Sequence, residues 1–280
     1  MTLTRRDFTG LALAAGLPAA ARINSEFNGV KLGVQTYSFR DRSVDEAIAA
    51  MKTIGLGYAE LSQGHLEPRG LLREELRKWR LTASMDEFRS VRKKFDAAGI
   101  VLYAINYSFR DDFSDEEIAH GFEMARAMGV TRLTASSNVT TARRVDAFAA
   151  KAKMQVGMHN HSNLKPNEFA RPEDFAEAMK GTSHIAINLD IGHFVAAGFD
   201  PVEFLSKHHR RIVTIHIKDR KKNQGANVPF GEGDTPIREV LQLLKKGRYG
   251  IPANIEYEYK GEDTIAEVRR CFEYCKKALG

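Results

Sequence analysis

The chain has 280 residues, of which 43% are hydrophobic, so it is long enough to form a single domain with a sizeable core. Its 42 Lys and Arg residues against 36 Asp and Glu residues give a net charge of +6. This charge could attract an anionic substrate or nucleic acid, but we interpret it as a mildly basic, solvated surface. No stretch approaches the length of a transmembrane helix, which argues against an integral membrane protein.

Residues 1–21 have the three parts of an export signal. A basic segment, Thr4-Arg5-Arg6-Asp7-Phe8, precedes a weakly apolar run over residues 9–17 and a small-residue cleavage site ending at Ala21. The paired arginines followed by Phe8 resemble a twin-arginine signal peptide. We therefore expect a bacterial protein that is exported to the periplasm or secreted, with one domain over residues 30–279 and no membrane partner after export.

Beyond residue 30, short apolar runs alternate with longer amphipathic segments. Strands are predicted over residues 32–38, 57–61, 100–106, 131–136, 154–159, 184–190, 212–217 and 252–257. The first helices begin with capping boxes at Ser43, Ser84 and Ser114 and end at Gly55, Gly99 and Gly129. Residues 67–80, which hold the only Trp, are predicted as a loop with a helical turn. Later helices are predicted over residues 141–153, 172–180, 201–208, 235–246 and 264–279.

Eight strands, each followed by a helix and spaced by about 30 residues, predict a parallel sheet. The fold class is therefore α/β, and the count of eight favours a single (β/α)₈ TIM barrel. An open, doubly wound sheet is the alternative, but no Gly-rich phosphate fingerprint follows the first strand. Cys271 and Cys275 lie on one face of the last predicted helix, where we expect two small buried side chains rather than a disulfide.

Polar side chains recur on one face of the predicted strands, near their C-terminal ends. They are Gln35, Tyr37, Tyr58, Glu60, Ser62, Asn106, His159, His161, Asn188, Asp190, His216, Lys218, Asn254, Glu256 and Glu258. In a (β/α)₈ barrel this end carries the active site, and inward-facing charge is costly unless it is paired or bound to a metal. The natural ligands of one divalent metal (Mn, Zn, Co, Fe or Mg) are Asp190, His193, His216 and Glu256, with His159 completing or bordering the set.

Several short motifs appear in an order and spacing known from one superfamily. They are Gly33-Val34-Gln35-Thr36-Tyr37-Ser38, Gly57-Tyr58-Ala59-Glu60-Leu61, His159-Asn160-His161, Asp190-Ile191-Gly192-His193, His216-Ile217-Lys218-Asp219, Gly231-Glu232-Gly233 and Ile255-Glu256. Over about residues 30–279 the chain resembles the xylose-isomerase-like TIM barrels. This superfamily contains sugar epimerases, sugar-phosphate isomerases and AP endonuclease type 2 proteins.

The resemblance implies a metal held by Asp190, His216 and Glu256, with His193 on the substrate side. At the fifth barrel strand, sugar epimerases have Glu followed by Asn, whereas this chain has His159 followed by Asn160. The chain therefore resembles a His-Asn-His variant that lacks one of the two carboxylates with which epimerases move protons. Simple epimerisation is thereby put in doubt, while the metal prediction stands.

By resemblance, the expected chemistry is abstraction of a proton next to a sugar carbonyl through an enediolate. Glu256 would serve as ligand and base, and His159 or His161 would replace the missing carboxylate. Lys218 either pairs with developing oxyanion charge or neutralises Asp219 or Glu60. The same chemistry supports a lyase or dehydratase acting on a keto-sugar or a 3-keto-glycoside. Remoter alternatives are a DNA-repair nuclease of the AP endonuclease type and a non-catalytic sugar-binding barrel.

Substrate contacts are predicted at Glu60, His65, Asn106, His161 and His193. Glu60 either binds substrate or anchors a basic residue. The basic run over residues 220–222 is either a phosphate clamp or, as we prefer, a solvated loop. The expected partner is a small sugar or sugar derivative and not a nucleic acid, and association into a homo-oligomer stays open.

Overall fold

Eight parallel strands close into a barrel, because the first barrel strand pairs with the second on one side and with the last on the other. This computed structural model describes residues 21–280. All of the predicted export signal except Ala21 lies outside the described residues. The observed closure confirms the predicted fold class.

The strands are short and evenly spaced along the chain. They are β1 (Glu26–Phe27), β2 (Val30–Gln35), β3 (Tyr58–Leu61), β4 (Val101–Asn106), β5 (Arg132–Ala135), β6 (Gln155–His159), β7 (Ile185–Asp190), β8 (Ile212–Ile217) and β9 (Ala253–Ile255). The helices are α1 (Val44–Ile54), α2 (Arg73–Thr82), α3 (Met85–Ala97), α4 (Asp115–Ala127), α5 (Ala142–Ala152), α6 (Pro172–Met179), α7 (Ile191–Ala196), α8 (Pro201–His208), α9 (Ile237–Gly247) and α10 (Thr264–Leu279).

Two of the three predicted capping boxes are present. Ser43 Oγ accepts a hydrogen bond from the backbone N–H of Glu46, and the Glu46 carboxylate accepts one from the Ser43 N–H. Ser114 forms the same pair with Glu117. The box predicted at Ser84 is wrong, because the N–H of the third helical residue donates to the Ser84 carbonyl instead of its side chain. Ser84 Oγ caps only the N–H of Asp86.

Three elements differ from the prediction. The stretch expected to hold only a helical turn contains the ten-residue helix α2, which is stabilised where Trp79 packs edge-on against Phe88 of α3. The six-residue helix α7 follows β7 directly, where a strand end and a loop were expected. The short strand β1 pairs antiparallel with β2 outside the parallel barrel.

The barrel strands are buried on both faces. Every residue of β7 and β8 is buried, as expected for parallel strands covered by helices. Cys271 and Cys275 are buried free thiols on α10, which confirms that prediction. Between residues 21 and 280, no helix has the length and apolar character that crossing a membrane would require.

The strand register brings the polar strand ends together. His159 of β6 lies opposite Asn188 of β7, and Asp190 of β7 lies opposite His216 of β8. Because neighbouring parallel strands end at the same rim, side chains separated by many residues in the sequence meet there. Glu256 follows β9 directly and extends this row.

Candidate metal centre

Four buried residues form a cluster at the C-terminal end of the barrel. His159, Asp190, His216 and Glu256 each offer one ligand atom, and these atoms all lie within 4.8 Å of one another. We call these four residues the metal cluster. The metal cluster contains His159 and does not contain His193. Residue type alone had placed His193 among the natural ligands. His193 lies instead in a neighbouring group with His159 and His161.

Asp190 is held by the junction between β7 and α7. It is fully buried, and its Oδ1 accepts the N–H of His193 at 2.6 Å, so the carboxylate also caps α7. Its Oδ2 lies 3.0 Å from Lys218 Nζ but has no partner with hydrogen-bond geometry. Burial raises the pKa of Asp190 to about 6, even though Lys218 opposes that shift.

His216 lies between two carboxylates. Its Nε2 is 3.0 Å from Glu60 Oε2, and its Nδ1 is 3.0 Å from Glu256 Oε2. Although burial alone would lower the pKa of His216, Glu60 and Glu256 hold it well above its usual value. The ring is therefore a double donor here. With Nε2 directed to Glu60, Nδ1 is the atom that faces the metal cluster.

A polar network lies beneath the metal cluster, and Glu60 is its centre. Glu60 is fully buried. Its Oε1 accepts from Gln35 Nε2 at 2.8 Å and from Thr134 Oγ1 at 2.6 Å, and its Oε2 accepts from Asn254 Nδ2 at 3.0 Å as well as from His216. The network is completed by the hydroxyls of two further strand residues. We call the six residues the floor network: Gln35, Glu60, Tyr103, Thr134, Thr214 and Asn254.

Lys218 is a buried cation among three carboxylates. Its Nζ lies 3.0 Å from Asp190 Oδ2, 3.0 Å from Glu256 Oε2 and 2.6 Å from Glu258 Oε2. Burial works against the charge, but these carboxylates raise the pKa of Lys218 above its usual value, so the ammonium stays charged. Lys218 and His216 in turn hold the pKa of Glu256 well below its usual value against the effect of burial.

The unpaired buried atoms of the metal cluster and its donor types suit a divalent ion. Within residues 21–280, Asp190 Oδ2 and His159 Nδ1 are buried without a hydrogen-bond partner, which is costly in a protein interior unless a ligand completes the site. Two carboxylates and two imidazoles are the donor types that suit Mn, Zn, Co or Fe. The Glu60–His216 contact supplies the carboxylate that usually orients a ligating histidine.

A pocket of about 290 Å³ opens onto the metal cluster. It is lined by Gln35, Tyr37, Ser62, Gln63, Gly64, Asn106, Ser136, His159, His161, His193, His216, Lys218, Glu256 and Glu258. Burial, followed by the Lys218 charge, lowers the pKa of both His161 and His193. Both rings are therefore neutral near pH 7. His161 has one nitrogen able to accept a proton, whereas both nitrogens of His193 contact cations, Lys218 Nζ at 3.0 Å and Arg220 Nη1 at 2.7 Å.

Most of the predicted site residues meet at this pocket. His159, His193, His216, Lys218 and Glu256 line it, as do Asn106 and His161. Glu60 lies below the lining and points into the floor network, so of its two predicted roles the structure shows the anchoring of a basic residue, His216. His65 does not line the pocket, because Thr36 Oγ1 and the Arg42 carbonyl engage its two ring nitrogens.

Other pocket residues were not predicted as site residues. Glu258 lies two residues after Glu256 and so shares its strand face, and this alternation could have predicted Glu258 as a pocket residue. Arg220 was assigned with its neighbours to a solvated loop, which is wrong for this residue. Its Nη1 lies 2.8 Å from Ser162 Oγ and 2.7 Å from His193 Nδ1, a placement that depends on loop structure rather than on local sequence.

The sequence profile of a protein family described as xylose isomerase-like TIM barrel matches residues 48–275 of the chain. Among curated relatives, L-ribulose-5-phosphate 3-epimerase UlaE of Escherichia coli is 35% identical over 91 residues. That match covers 32% of this chain and 32% of the relative, so the similarity spans about a third of the curated protein.

Solved structures resemble the chain over almost all of their own length. An uncharacterized protein from Parabacteroides distasonis has a TM-score of 0.64 and 26% identity, covering 89% of this chain and 99% of the other. The 3-keto-D-glucoside 4-epimerase YcjR of Escherichia coli has a TM-score of 0.67 and 14% identity, with the same coverage of 89% and 99%. At 14% identity, the second likeness shows the fold alone.

Proposed function

The chain belongs to the xylose isomerase-like TIM barrel family, and from that premise we propose that it is a divalent-metal-dependent sugar isomerase or epimerase. The observation that carries the proposal is the metal cluster at the catalytic end of the barrel, in which Asp190 Oδ2 and His159 Nδ1 are buried and, among the described residues, have no partner with hydrogen-bond geometry. The pocket above it is lined by amide, hydroxyl, imidazole and carboxylate groups, which match a polyhydroxylated substrate.

His159, Asp190, His216 and Glu256 are the residues that would hold the ion. The chemistry supplied by a bound divalent ion is Lewis-acid polarisation of a carbonyl and an adjacent hydroxyl. His216 must release its Nδ1 proton before that atom can act as a ligand, because a metal binds the neutral ring. Glu60 holds the proton on the opposite nitrogen throughout.

Two side chains are placed to carry protons at the substrate carbon. Glu256 is ionised and lines the pocket, so its carboxylate accepts a proton from the carbon next to the carbonyl. His161 is neutral and also lines the pocket, while His159 is committed to the metal cluster. We therefore assign to His161 the role of the carboxylate that epimerases carry on the fifth barrel strand: it would take up a proton from solvent and donate it to the opposite face of the deprotonated carbon, and Glu256 would release the proton it accepted to solvent.

Lys218 provides a fixed positive charge at the pocket. Its ammonium is 2% exposed and charged, and it lies 3.0 Å from His193 Nε2 as well as beside the carboxylates. A preorganised cation in a dry site stabilises negative charge that develops on a substrate oxygen. Lys218 thus serves as an electrostatic residue, since a charged ammonium cannot act as a base.

The curated relative supports the reaction class. UlaE is named for epimerisation of a ketose phosphate at carbon 3, a reaction that needs proton abstraction next to a carbonyl. Because the match covers about a third of that protein, we take from it the class of reaction and not its particular substrate.

Hydrogen exchange from solvent tests the proposal. The protein loaded with Mn²⁺ is incubated in deuterated water with ketoses, inositols and 3-keto-glycosides, and each recovered sugar is examined by NMR. We expect deuterium at one carbon next to a carbonyl, together with an isomer or epimer of the sugar. An absence of exchange from every sugar would refute the proposed reaction.

The same experiment separates the competing functions. A lyase or dehydratase would release an unsaturated product instead of an epimer. A non-catalytic sugar-binding barrel would bind sugars without exchange and would bind them equally well as the Glu256→Gln variant. A nuclease of the AP endonuclease type would nick DNA at abasic sites, which a gel assay with the same metal-loaded protein measures.

We also propose that the protein is exported, since Arg5-Arg6 and the apolar run after them resemble a twin-arginine signal. Export would place the enzyme with extracytoplasmic sugars. Fractionation of cells that produce the wild type and an Arg5→Lys/Arg6→Lys variant tests this localisation. We expect the variant to remain in the cytoplasm, and an unchanged distribution would contradict export through the twin-arginine route.

A further inference from the structure

We infer that the substrate is an uncharged sugar or glycoside and that the pocket discriminates against sugar phosphates. This inference rests on the proposed function and names the substrate class of the same site. The curated relative is named for a ketose phosphate, so the inference separates this chain from that protein. It follows from how each cation and each exposed backbone donor around the pocket is used.

Among residues 21–280, the two cationic side chains that line the pocket, Lys218 and the protonated His216, are already paired with carboxylates. Lys218 Nζ lies within 3.0 Å of three carboxylates, those of Asp190, Glu256 and Glu258. Two of these, Glu256 and Glu258, also line the pocket. A phosphate dianion entering the pocket would have to compete with three carboxylates for one ammonium group.

Arg220, which contacts the pocket residue His193, has each of its guanidinium nitrogens engaged within the chain. Arg220 Nη1 contacts Ser162 Oγ and His193 Nδ1, and its Nε and Nη2 both donate to the Gly225 carbonyl, at 3.1 and 2.6 Å. A guanidinium binds phosphate through two parallel N–H donors, and here all three of its nitrogens are engaged. Its role is to position His193 and the loop that follows β8.

The backbone donors that could bind phosphate are filled by a carboxylate of the chain itself. TIM barrels often bind phosphate in the loops after the seventh and eighth barrel strands. After β8, the seventh barrel strand, the N–H groups of Gly231 and Gly233 converge at 2.7 and 3.1 Å on Asp219 Oδ2. Thr235 N–H donates to Asp219 Oδ1 at 3.2 Å. Asp219 is 1% exposed and occupies this anion nest internally.

Neighbouring turns of the rim are capped in the same way. Ser62 Oγ accepts the N–H of Gly64 at the turn after β3, and Asp190 Oδ1 accepts the N–H of His193 at the start of α7. At each of these two turns, one backbone N–H that could face an anionic ligand is therefore engaged within the chain.

Apart from the carboxylates, uncharged polar and aromatic side chains remain for substrate. Tyr37 is 39% exposed at the pocket, with the Arg40 guanidinium 5.0 Å from its ring centroid, so the ring can pack against the C–H face of a sugar. Ser136 lines the wall, and within residues 21–280 its hydroxyl donates to no other group. The imidazole of His161 also lines the pocket and can form a hydrogen bond with a substrate hydroxyl.

Paired ligands test the inference by binding, separately from catalysis. Isothermal titration calorimetry of the Mn²⁺-loaded protein compares L-ribulose, D-fructose and a methyl 3-keto-glucoside with the phosphorylated counterpart of each. We expect each uncharged member to bind more tightly by about tenfold or more, since like charges repel strongly in a pocket of low dielectric. Phosphorylated members that bind as tightly as the uncharged ones, or uncharged members that fail to bind, would overturn the inference.

Variants at three positions make the test specific. Ser136→Lys adds a cation to the wall and should shift the preference towards the phosphorylated members by about tenfold, whereas the neutral control Ser136→Gln should not. Among the described residues, two exposed arginines are candidates for a phosphate clamp: Arg40 beside Tyr37, and Arg110 in the loop after β4. Arg40→Gln and Arg110→Gln should each leave the ratio unchanged, and a selective loss of phosphorylated ligands in either variant would contradict the inference.

The deuterium-exchange experiment keeps the two proposals apart. Exchange from a phosphorylated sugar with a higher kcat/KM than from its free counterpart would refute the substrate class and leave the reaction intact. Tighter binding of the uncharged members without exchange from any of them would refute the reaction and leave the pocket chemistry intact.

Discussion

The floor network and the metal cluster meet at His216, yet their polar atoms are used differently. In the floor network, both oxygens of Glu60 accept two hydrogen bonds each, all from other barrel strands. In the metal cluster, Asp190 Oδ2 and His159 Nδ1 are equally buried and have no such partner. The exception in the floor network is Asn254 Oδ1, which also lacks a partner.

This difference indicates that the floor network stabilises the barrel and that the metal cluster binds a ligand. A buried carboxylate with four donors stabilises one arrangement of the strands around it. A buried carboxylate with an unsatisfied oxygen raises the free energy of the unliganded protein, which a bound cation then lowers. We therefore expect substitutions in the metal cluster to change chemistry first, and substitutions in the floor network to act through the orientation of His216.

The sharpest test of the contrast is Glu256→Gln. The amide keeps the shape of the side chain but removes the base and one metal ligand, so we expect hydrogen exchange to fall by about a thousandfold. Exchange rates measured by NMR in deuterated water, with the fold checked by circular dichroism, report the effect. Glu232→Gln changes an exposed loop carboxylate and should leave the rate unchanged. A fall of less than tenfold in Glu256→Gln would remove Glu256 from the mechanism.

Lys218→Met should have the next largest effect, and on stability. Without the ammonium, Asp190, Glu256 and Glu258 face one another with no cation between them, which costs about 3–5 kcal/mol of unfolding free energy in the metal-free protein. Because Mn²⁺ would supply the missing positive charge, it should stabilise the variant more than it stabilises the wild type. Urea unfolding with EDTA and with Mn²⁺ measures both quantities.

The control for that experiment is Lys222→Met, which removes an exposed lysine from the same loop. It should change neither the stability in EDTA nor the response to Mn²⁺. Equal stabilisation of wild type and Lys218→Met by Mn²⁺ would show that the metal and the ammonium do not share carboxylates.

The metal cluster could be predicted from the sequence because its residues lie at or next to strand ends. Apolar strands end at His159 and Asp190, and His216 lies one residue before the end of β8; parallel strands place their ends at one rim. The fold class followed from the same alternation of strands and helices. His159 was expected to complete or border the ligand set, and the resemblance placed His193 on the substrate side; the geometry of the metal cluster agrees with both expectations.

The floor network and the loops could not be predicted in this way. Glu60 takes its donors from four strands, and Asn254 lies 194 residues away, so only barrel closure brings them together. His65 looked like a substrate residue because it follows β3, but its two ring nitrogens join the loops after β2 and β3. Helix α7 was missed because its cap is Asp190, the residue that also ends a strand.

Glu60→Gln sharpens the comparison from the side of the floor network. The amide weakens the contact that keeps the proton of His216 on Nε2, so Nδ1 is presented to the metal less often. We expect the affinity for Mn²⁺ to fall by about 10- to 100-fold, as for other residues that orient a ligating histidine. Calorimetric titration of the metal-free protein with Mn²⁺ gives the affinity directly.

Thr134→Val is the matched control for Glu60→Gln. It removes one donor to Glu60 Oε1 and leaves the contact between Oε2 and His216 in place. We expect a loss of about 1 kcal/mol in unfolding free energy and little change in Mn²⁺ affinity. If both variants weakened Mn²⁺ equally, Glu60 would act through general stability rather than through the histidine.

The smallest predicted effect concerns His65, which lies outside both groups. Burial lowers the pKa of His65, which fits a neutral ring whose Nε2–H donates to the Arg42 carbonyl while Nδ1 accepts from Thr36. The unfolded chain therefore binds this proton more readily, so the contribution of His65 to stability is present above about pH 6.5 and is lost as the pH falls through its lower folded value. Urea unfolding between pH 5 and 8 should show a shallower loss of stability on acidification for His65→Gln than for the wild type. If unfolding free energy fell equally steeply with pH in the variant and the wild type, the acid sensitivity would come from the pocket histidines and not from His65.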